Sequence, residues 1–150
     1  MAIDETKYEA LKLENQLCFP LYVCSKEVIR KYRPYLDELD LTYTQYITMM
    51  VLWEKKRINI KSLGKRLYLD SGTLSPMLKS LEKKGFIQRQ RSKEDERVLM
   101  VEITESGEAL RDRAVSVPEK LTGCLTLDTE DAVTLYKLLY KVLGMIDGDA

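Results

Sequence analysis

Residues 60–104 read IKSLGKRLYLDSGTLSPMLKSLEKKGFIQRQRSKEDERVLMVEIT and contain two helical patterns followed by two strand patterns. In the first pattern, KSLGKRL, Leu63 and Leu67 are four residues apart and face the same side of a helix. The second pattern follows Asp70, whose side chain can accept a hydrogen bond from an unpaired N–H at a helix start. An apolar stripe spaced by three and four residues then predicts the buried side of this helix: Leu74, Met77, Leu78 and Leu81.

Two strand patterns follow Gly85, a residue that accepts the left-handed backbone conformation at a helix end. Residues 86–89 and 98–103 are rich in strand formers and flank the polar run SKEDER. Each part is common by itself, so the prediction depends on their order. Helix, turn, helix and hairpin in this order predict a winged helix-turn-helix, a mostly α-helical fold with a small β-wing, and hence DNA binding.

The charge distribution favours the same partner. The whole chain balances 24 basic against 24 acidic residues. Residues 60–104 hold ten Lys or Arg against six Asp or Glu, whereas residues 105–150 hold five against nine. Duplex DNA is attracted by local positive potential rather than by overall charge. A solvated charged face is the alternative, and charge alone does not decide between them.

Helical patterns flank this central part. Residues 8–39 predict one long helix bent at Pro20. Thr42 is suited to cap the next helix, which continues to Glu54. After the wing, residues 104–122 predict a helix that is kinked or broken at Pro118, and residues 128–145 predict a last helix with a nearly continuous apolar stripe.

The flanking helices carry more apolar surface than a small DNA-reading head can cover. We therefore predict one domain over residues 1–150, in which 1–56 and 105–150 form a helical dimerisation part and 57–104 the winged helix-turn-helix. The expected assembly is a homodimer; the alternative is that these helices pack on their own monomer. The apolar runs are too short to span a membrane and residues 1–15 lack a leader pattern, so a cytoplasmic protein is expected.

The cysteine content argues against several chemistries. The three cysteines, Cys18, Cys24 and Cys124, are odd in number and widely spaced, which makes structural disulfides unexpected. The chain has no histidine and no Cys-x-x-Cys pair, so a zinc site or a histidine-dependent triad is hard to build. Glycine-rich phosphate loops are also missing, and no cofactor is expected.

Several segments together resemble a known family. LYLDSGTLSPMLK (67–79), KGFI (84–87) and DER (95–97) resemble the core of the MarR family of winged-helix regulators. LENQLCF (13–19) with Tyr22, and LTYTQY (41–46), are similar to its organic hydroperoxide-sensing branch. The Asp-x-Arg wing is shared across the wider family, whereas the Asn-Gln-Leu-Cys-Phe segment is specific to that branch.

The resemblance implies a redox role for Cys18. In that branch the matching cysteine is oxidised by an organic hydroperoxide, and tyrosines matching Tyr32 and Tyr43 of the partner subunit hydrogen-bond its sulfur. Tyr22 is one helical turn after Cys18 and could touch the same site. A buried, inert Cys18 is the alternative. A sub-branch of this family resolves the oxidised sulfur with a second cysteine from the partner chain. In this chain the candidate resolving thiols are Cys124 and a small cellular thiol.

Cys24 is a different case from the other two cysteines. It lies six residues after Cys18, about 240° around a helix, so the two cannot easily bridge within one helix. Pro20 lies two residues after Cys18, and its missing N–H could loosen the helix beside the Cys18 sulfur. We therefore predict that Cys24 is a packing residue and that Pro20 disturbs the helix.

The resemblance also implies a DNA-binding surface. Ser71, Thr73 and Ser75, with Pro76 shaping the exposed edge, match the start of the recognition helix in the major groove. Lys79 is better placed for a phosphate. On the wing, Arg97 matches an arginine inserted in the minor groove, Asp95 matches the acid that holds it, and Arg89 and Arg91 border the wing as backbone contacts or solvated strand ends.

Together these observations predict a homodimeric repressor that binds an A·T-rich inverted repeat in double-stranded DNA and is released when an organic hydroperoxide oxidises Cys18. A MarR-type regulator responding to a small aromatic ligand, with Cys18 merely structural, is the closest alternative. A thiol peroxidase without DNA function is a further alternative, although it would have no use for a basic helix and wing. Otherwise the chain is not expected to be an enzyme.

Overall fold

The computed structural model describes residues 5–148. The chain divides into two compact units, Met1–Val117 and Pro118–Ala150. The described part is mostly helical with a small antiparallel sheet, which confirms the predicted fold class. The division into dimerisation and DNA-reading parts stays a prediction.

The first α-helix, α1, is Cys18–Asp37 and is shorter than the sequence predicts. Two 3₁₀ segments, Glu5–Leu11 and Leu13–Asn15, precede it. The prediction of one helix over residues 8–39 bent at Pro20 is therefore wrong. Pro20 is the third residue of α1, where a backbone N–H has no partner within the helix, so its ring neither bends nor loosens the helix.

The second helix, α2, is Tyr43–Lys55 and begins as predicted at Thr42. The Thr42 hydroxyl accepts a hydrogen bond from the Gln45 N–H at 3.3 Å, and the Gln45 side-chain oxygen accepts from the Thr42 N–H at 3.1 Å. This reciprocal cap satisfies two N–H groups that the helix start leaves unpaired. The body of α2 lies in the core, with Met49 and Leu52 fully buried.

A three-residue strand, β1 (Arg57–Asn59), precedes the helix-turn-helix and was missed by the sequence prediction. Helix α3 is Ile60–Leu67 and helix α4 is Ser71–Lys83. A Cβ on Gly64 would lie 2.8 Å from the Leu69 carbonyl oxygen, so this position of α3 requires glycine beside the turn. The predicted apolar stripe of α4 is buried: Leu74, Met77, Leu78 and Leu81.

The wing follows Gly85, which has a φ of 82° and ends α4 as predicted. Strands β2 (Ile87–Arg91) and β3 (Leu99–Ile103) form the predicted antiparallel hairpin. Strand β1 pairs with the other edge of β3, which gives the sheet order β1-β3-β2. The wing is therefore anchored to the strand that leads directly into α3.

The remaining helices are α5 (Glu105–Ala114), α6 (Val117–Thr122) and α7 (Thr129–Gly148). The break between α5 and α6 immediately precedes Pro118, as predicted. In the second unit, α7 begins where the Asp128 carboxylate accepts a hydrogen bond from the Asp131 N–H at 2.8 Å.

Two kinds of feature are absent from the part of the chain that the structure describes. Within residues 5–148, none of the helices combines the length and the apolar character needed to cross a lipid bilayer. In the same part of the chain, His, Cys, Asp and Glu side chains form no group of three that could hold a metal ion.

Candidate DNA interface and thiol site

Helix α4 separates a buried face from a polar face at its N-terminus. The Asp70 carboxylate accepts a hydrogen bond from the Thr73 N–H at 2.8 Å and so fixes where the helix begins. Ser71, Thr73 and Ser75 are all exposed, whereas Leu74 between them is buried. The packing of α4 thus presents three short hydroxyl side chains to the solvent at the first two turns.

Two further predicted residues lie on the exposed side of α4. Pro76 is inside the helix and exposed, so it removes one N–H from the helical ladder on the solvent side. Lys79 is exposed one turn after Ser75 and makes no ion pair among the described residues. Its ammonium group is therefore available to a phosphate, as the sequence suggests.

The wing carries an arginine that is hydrogen-bonded to an acid of the same loop. The Asp95 carboxylate accepts from the Arg97 N–H at 3.0 Å and from its Nε at 3.1 Å. These hydrogen bonds hold the pKa of Asp95 below its usual range. The Arg97 side chain is nonetheless 91% exposed. Asp95 orients the guanidinium group without burying it, which is the arrangement that the sequence predicts.

Arg89 occupies a different environment from Arg97. Its Nη2 donates to the Glu82 carboxylate at 2.9 Å, its Nε donates at 3.2 Å, and its N–H donates to the other oxygen at 3.0 Å. These bonds hold the pKa of Glu82 below its usual range. Arg89 thus ties β2 to α4 and already has a partner. Arg91 is exposed, and its Nη1 donates to the Glu96 carbonyl at 3.3 Å.

Residues that the sequence reading missed lie in a groove of about 770 Å³ between α3, the start of α4 and the wing. Lys61, Ser62 and Lys65 of α3 line this groove, and Arg97 lines it from the wing. No acidic side chain is among the lining residues. The sequence contains a signal for this surface, because Lys61 and Lys65 are four residues apart and so share one face of a helix.

The thiol candidate lies at the start of α1. Cys18 is the first residue of the helix and is exposed, so it is not a buried core residue of its own protomer. Tyr22 follows one turn later and is also exposed. The Lys26 ammonium group lies 5.1 Å from the centre of the Tyr22 ring. The surroundings of Cys18 in the single chain are therefore open to solvent.

Tyr32 and Tyr43 are close to each other but not to Cys18. Their ring centres are 5.0 Å apart, and the Tyr46 ring lies 5.9 Å from that of Tyr32. Burial raises the pKa of Tyr32 and of Tyr43, so both hydroxyls remain protonated donors. Tyr32 is fourteen residues after Cys18 in one straight α-helical count, about 21 Å along the axis. Within one protomer these tyrosines cannot reach the thiol.

The other two cysteines differ from each other. Cys24 is exposed on α1, so in the single chain it is not packed as the sequence predicts. Cys124 belongs to the second unit, follows α6 and is half-buried. Its sulfur lies 3.6 Å from the Lys120 carbonyl oxygen.

The helix-turn-helix, its exposed N-terminal hydroxyls and the wing arginine define a winged helix-turn-helix protein. Residues 25–113 match the family model described as transcriptional regulator SarA/Rot. The organic hydroperoxide resistance transcriptional regulator of Bacillus subtilis (strain 168) is 46% identical over 139 residues, 93% of this chain and 95% of that protein. The regulator SarZ of Staphylococcus haemolyticus is 47% identical over 132 residues, 88% of this chain and 90% of its own.

Solved structures agree with the sequence comparison. The structure of reduced AbfR bound to DNA has a TM-score of 0.75 and 33% identity, and the match covers 95% of this chain and 99% of that one. AbfR comes from Staphylococcus epidermidis. The chain therefore belongs to the MarR-type and SarA/Rot winged-helix transcriptional regulators.

Proposed function

We propose that this protein is a homodimeric transcriptional repressor that binds double-stranded DNA and leaves it when an organic hydroperoxide oxidises Cys18. The observation that carries the DNA-binding part is the exposure of Ser71, Thr73 and Ser75 beside a wing arginine that its loop orients but does not bury. The relative from Bacillus subtilis, whose name states organic hydroperoxide resistance, supports the sensing part.

The shape of the head supports a specific mode of DNA contact. The α4 hydroxyls are suited to base edges and phosphates in a major groove. Arg97 is suited to the adjacent minor groove, where a narrow A·T-rich sequence concentrates negative potential. Two heads related by a two-fold axis would read an inverted repeat with half-sites about 34 to 36 Å apart.

Exposed apolar side chains support the dimer. Large contiguous apolar surfaces are rare on soluble monomers and usually mark an interface. Both the start of the described chain and helix α7 carry such side chains in the single protomer. They include Leu13, Leu17, Phe19, Leu21 and Tyr22 in the first unit, and Val133, Leu135, Tyr136, Leu138, Leu139 and Tyr140 in the second.

The proposed sensing step is a two-electron oxidation of sulfur. The Cys18 sulfur attacks one peroxide oxygen, the O–O bond breaks, and the products are a sulfenic acid and the alcohol of the peroxide. In the dimer, the protonated hydroxyls of Tyr32 and Tyr43 would reach Cys18 of the other protomer and hydrogen-bond its sulfur.

A second thiol would then resolve the sulfenic acid, forming a disulfide and releasing water. Cys124 of the other protomer is one candidate and a small cellular thiol is the other. AbfR, a relative, has also been solved in a disulfide-formed state, which supports disulfide formation as the resolving step proposed for this chain.

A titration with a labelled A·T-rich inverted repeat tests the proposal. We expect the reduced protein to bind the duplex and about one equivalent of cumene hydroperoxide per protomer to release it. A reduced protein that does not bind any such duplex would contradict the regulator. Rapid turnover of peroxide with a thiol reductant and no change in DNA binding would instead favour a thiol peroxidase.

One observation favours a second candidate, a regulator that responds to a small aromatic acid. A cleft of about 440 Å³ beside Tyr43 is lined by apolar side chains that include Leu36 and Leu41, by three basic residues and by one acid. The charged residues are Lys26, Arg30, Arg33 and Asp37. That volume is in the range of small-molecule sites. If salicylate released the DNA from a Cys18→Ser variant in the absence of peroxide, this candidate would replace peroxide sensing.

A further inference from the structure

The turn between α1 and α2 is a tightly fixed part of the first unit. The N–H groups of Leu39 and Leu41 both donate to the Leu36 carbonyl at 3.0 Å. Leu39 and Leu41 are buried, while Asp40 between them has a φ of 54° and projects outward. The end of the helix that starts at Cys18 is therefore joined rigidly to the start of α2.

Lys84, the residue that follows the last residue of the recognition helix α4, reaches this turn. Its ammonium group donates to the Asp40 carbonyl and, at 3.1 Å, to the Gln45 side-chain oxygen. It also lies 3.3 Å from the Asp40 carboxylate. The Lys84 side chain is 24% exposed, so most of it is packed against the protein. One cation thus connects the end of α4 to both sides of the α1–α2 turn.

Gln45 makes a second connection at the same place. It is only 4% exposed, and its side-chain nitrogen donates to the Ser80 hydroxyl of α4 at 3.1 Å. Its side-chain oxygen accepts from both the Thr42 N–H and Lys84. The cap that starts α2 is therefore part of the same hydrogen-bonded group as α4. We call Asp40, Gln45, Ser80 and Lys84 the turn latch.

We propose that the turn latch positions the recognition helix relative to the helix that carries Cys18, and that Lys84 is its principal positioning residue. This inference rests on the proposed redox function. Lys84 is suited to positioning rather than to DNA contact, because it lies thirteen residues after Ser71, about 20 Å along α4 from the DNA-reading hydroxyls.

The physical basis is a continuous rigid path. Helix α1 is twenty residues long and so spans about 30 Å from the thiol to the turn. A displacement of α1 after oxidation moves the turn, and charged hydrogen bonds carry that movement to the end of α4. The thiol and the DNA-reading helix are coupled in this way only if the conformation of an element between them depends on the state of both sites.

The test compares operator affinity in the reduced and oxidised states. Lys84→Met keeps the apolar stem but removes the donor. Lys83→Met is the matched control, because Lys83 is the neighbouring lysine, is exposed and makes no ion pair with any residue that the structure describes. We expect the ratio of oxidised to reduced Kd to fall at least about fivefold in Lys84→Met and to stay at the parent value in Lys83→Met.

Three other outcomes have defined meanings. If the ratio of oxidised to reduced Kd in Lys84→Met equals that of the parent, even with a lower Tm, Lys84 contributes only to stability and the proposal is overturned. Equal loss of affinity in both states would also overturn it, since that indicates a DNA contact. A parent protein whose affinity does not change on oxidation would overturn the proposed function itself, and the latch with it.

A milder variant covers the case in which Lys84→Met does not fold. Asp40→Asn removes the carboxylate charge but keeps the backbone carbonyl that Lys84 contacts, and asparagine tolerates a positive φ. We expect a smaller fall in the same Kd ratio. An unchanged ratio in a folded Asp40→Asn protein, combined with failure of Lys84→Met to fold, would count against the latch.

Discussion

At the scale of single residues, the structure separates basic side chains that hold the fold from those free to meet a polyanion. Lys56 pairs with Glu108 and Arg66 with Glu54. Lys61 and Lys65 make no ion pair in the described part of the chain and line the groove beside α4. Residue counts cannot make this distinction, because it depends on which acid the fold brings near each cation.

The thiol assignment can be tested by replacing one sulfur. Cys18→Ser should bind the operator about as well as the parent and stay bound in peroxide, because serine keeps the size but cannot form a sulfenic acid. Cys24→Ser is the matched control, since Cys24 is also exposed on α1. Fluorescence anisotropy with labelled operator, before and after peroxide, measures both. Release of Cys18→Ser by peroxide would remove Cys18 from the mechanism.

The wing assignment can be tested at Arg97. Arg97→Ala should weaken operator binding by about 1 to 3 kcal/mol and reduce the preference for A·T over G·C at the flanking positions, where the minor groove is narrow. Lys93→Ala removes the same charge from the same loop and should leave that preference unchanged. Equal effects of the two substitutions on sequence preference would show that Arg97 contributes only charge.

At the scale of elements, the sequence predicts those that have a local cause. The α4 stripe and the Thr42 cap depend on residue spacing and were correctly predicted. Strand β1 was missed because three residues carry no periodicity and form a strand only by pairing with β3. The start of α1 was wrongly predicted because the apolar pattern continues through residues 8–39, whereas the helix begins only at Cys18. Pro20 therefore lies in its first turn, and Pro34 lies in its interior.

The groove between α3, α4 and the wing gives a prediction at this scale. Lys61→Ala and Lys65→Ala should each reduce the slope of log K against log salt concentration by about one. Each should also weaken binding to specific and nonspecific DNA by a similar factor, as expected for the loss of a phosphate contact. Arg66→Ala is the control on the same helix, because Arg66 is held 2.6 Å from Glu54. An equal fall of the salt slope in the control would show that Lys61 and Lys65 are not specific phosphate contacts.

At the scale of the whole molecule, the proposed thiol site would be shared between two chains. Cys18 lies at one end of α1, whereas Tyr32, farther along α1, packs against Tyr43 and Tyr46 of α2. No spacing rule applied to one chain could bring these groups together, because the proposed contact crosses between protomers. Only the family resemblance pointed to it, and exposed apolar side chains on α7 give a physical reason for such an assembly.

The fate of the oxidised sulfur can also be decided on the intact dimer. If Cys124 of one protomer resolves Cys18 of the other, peroxide should give a covalent dimer on a non-reducing gel, and Cys124→Ser should abolish it. Cys24→Ser, which removes a different thiol, should keep the covalent dimer. If a small thiol resolves the sulfenic acid, addition of that thiol should instead give monomers whose mass increases by one mixed disulfide.

A disulfide needs Cα atoms within about 7 Å, so a covalent dimer would require the second unit to approach the partner's α1 that closely on oxidation. Mass spectrometry of peroxide-treated protein without a Cys18–Cys124 peptide would exclude this route and leave Cys18 as the single reacting cysteine.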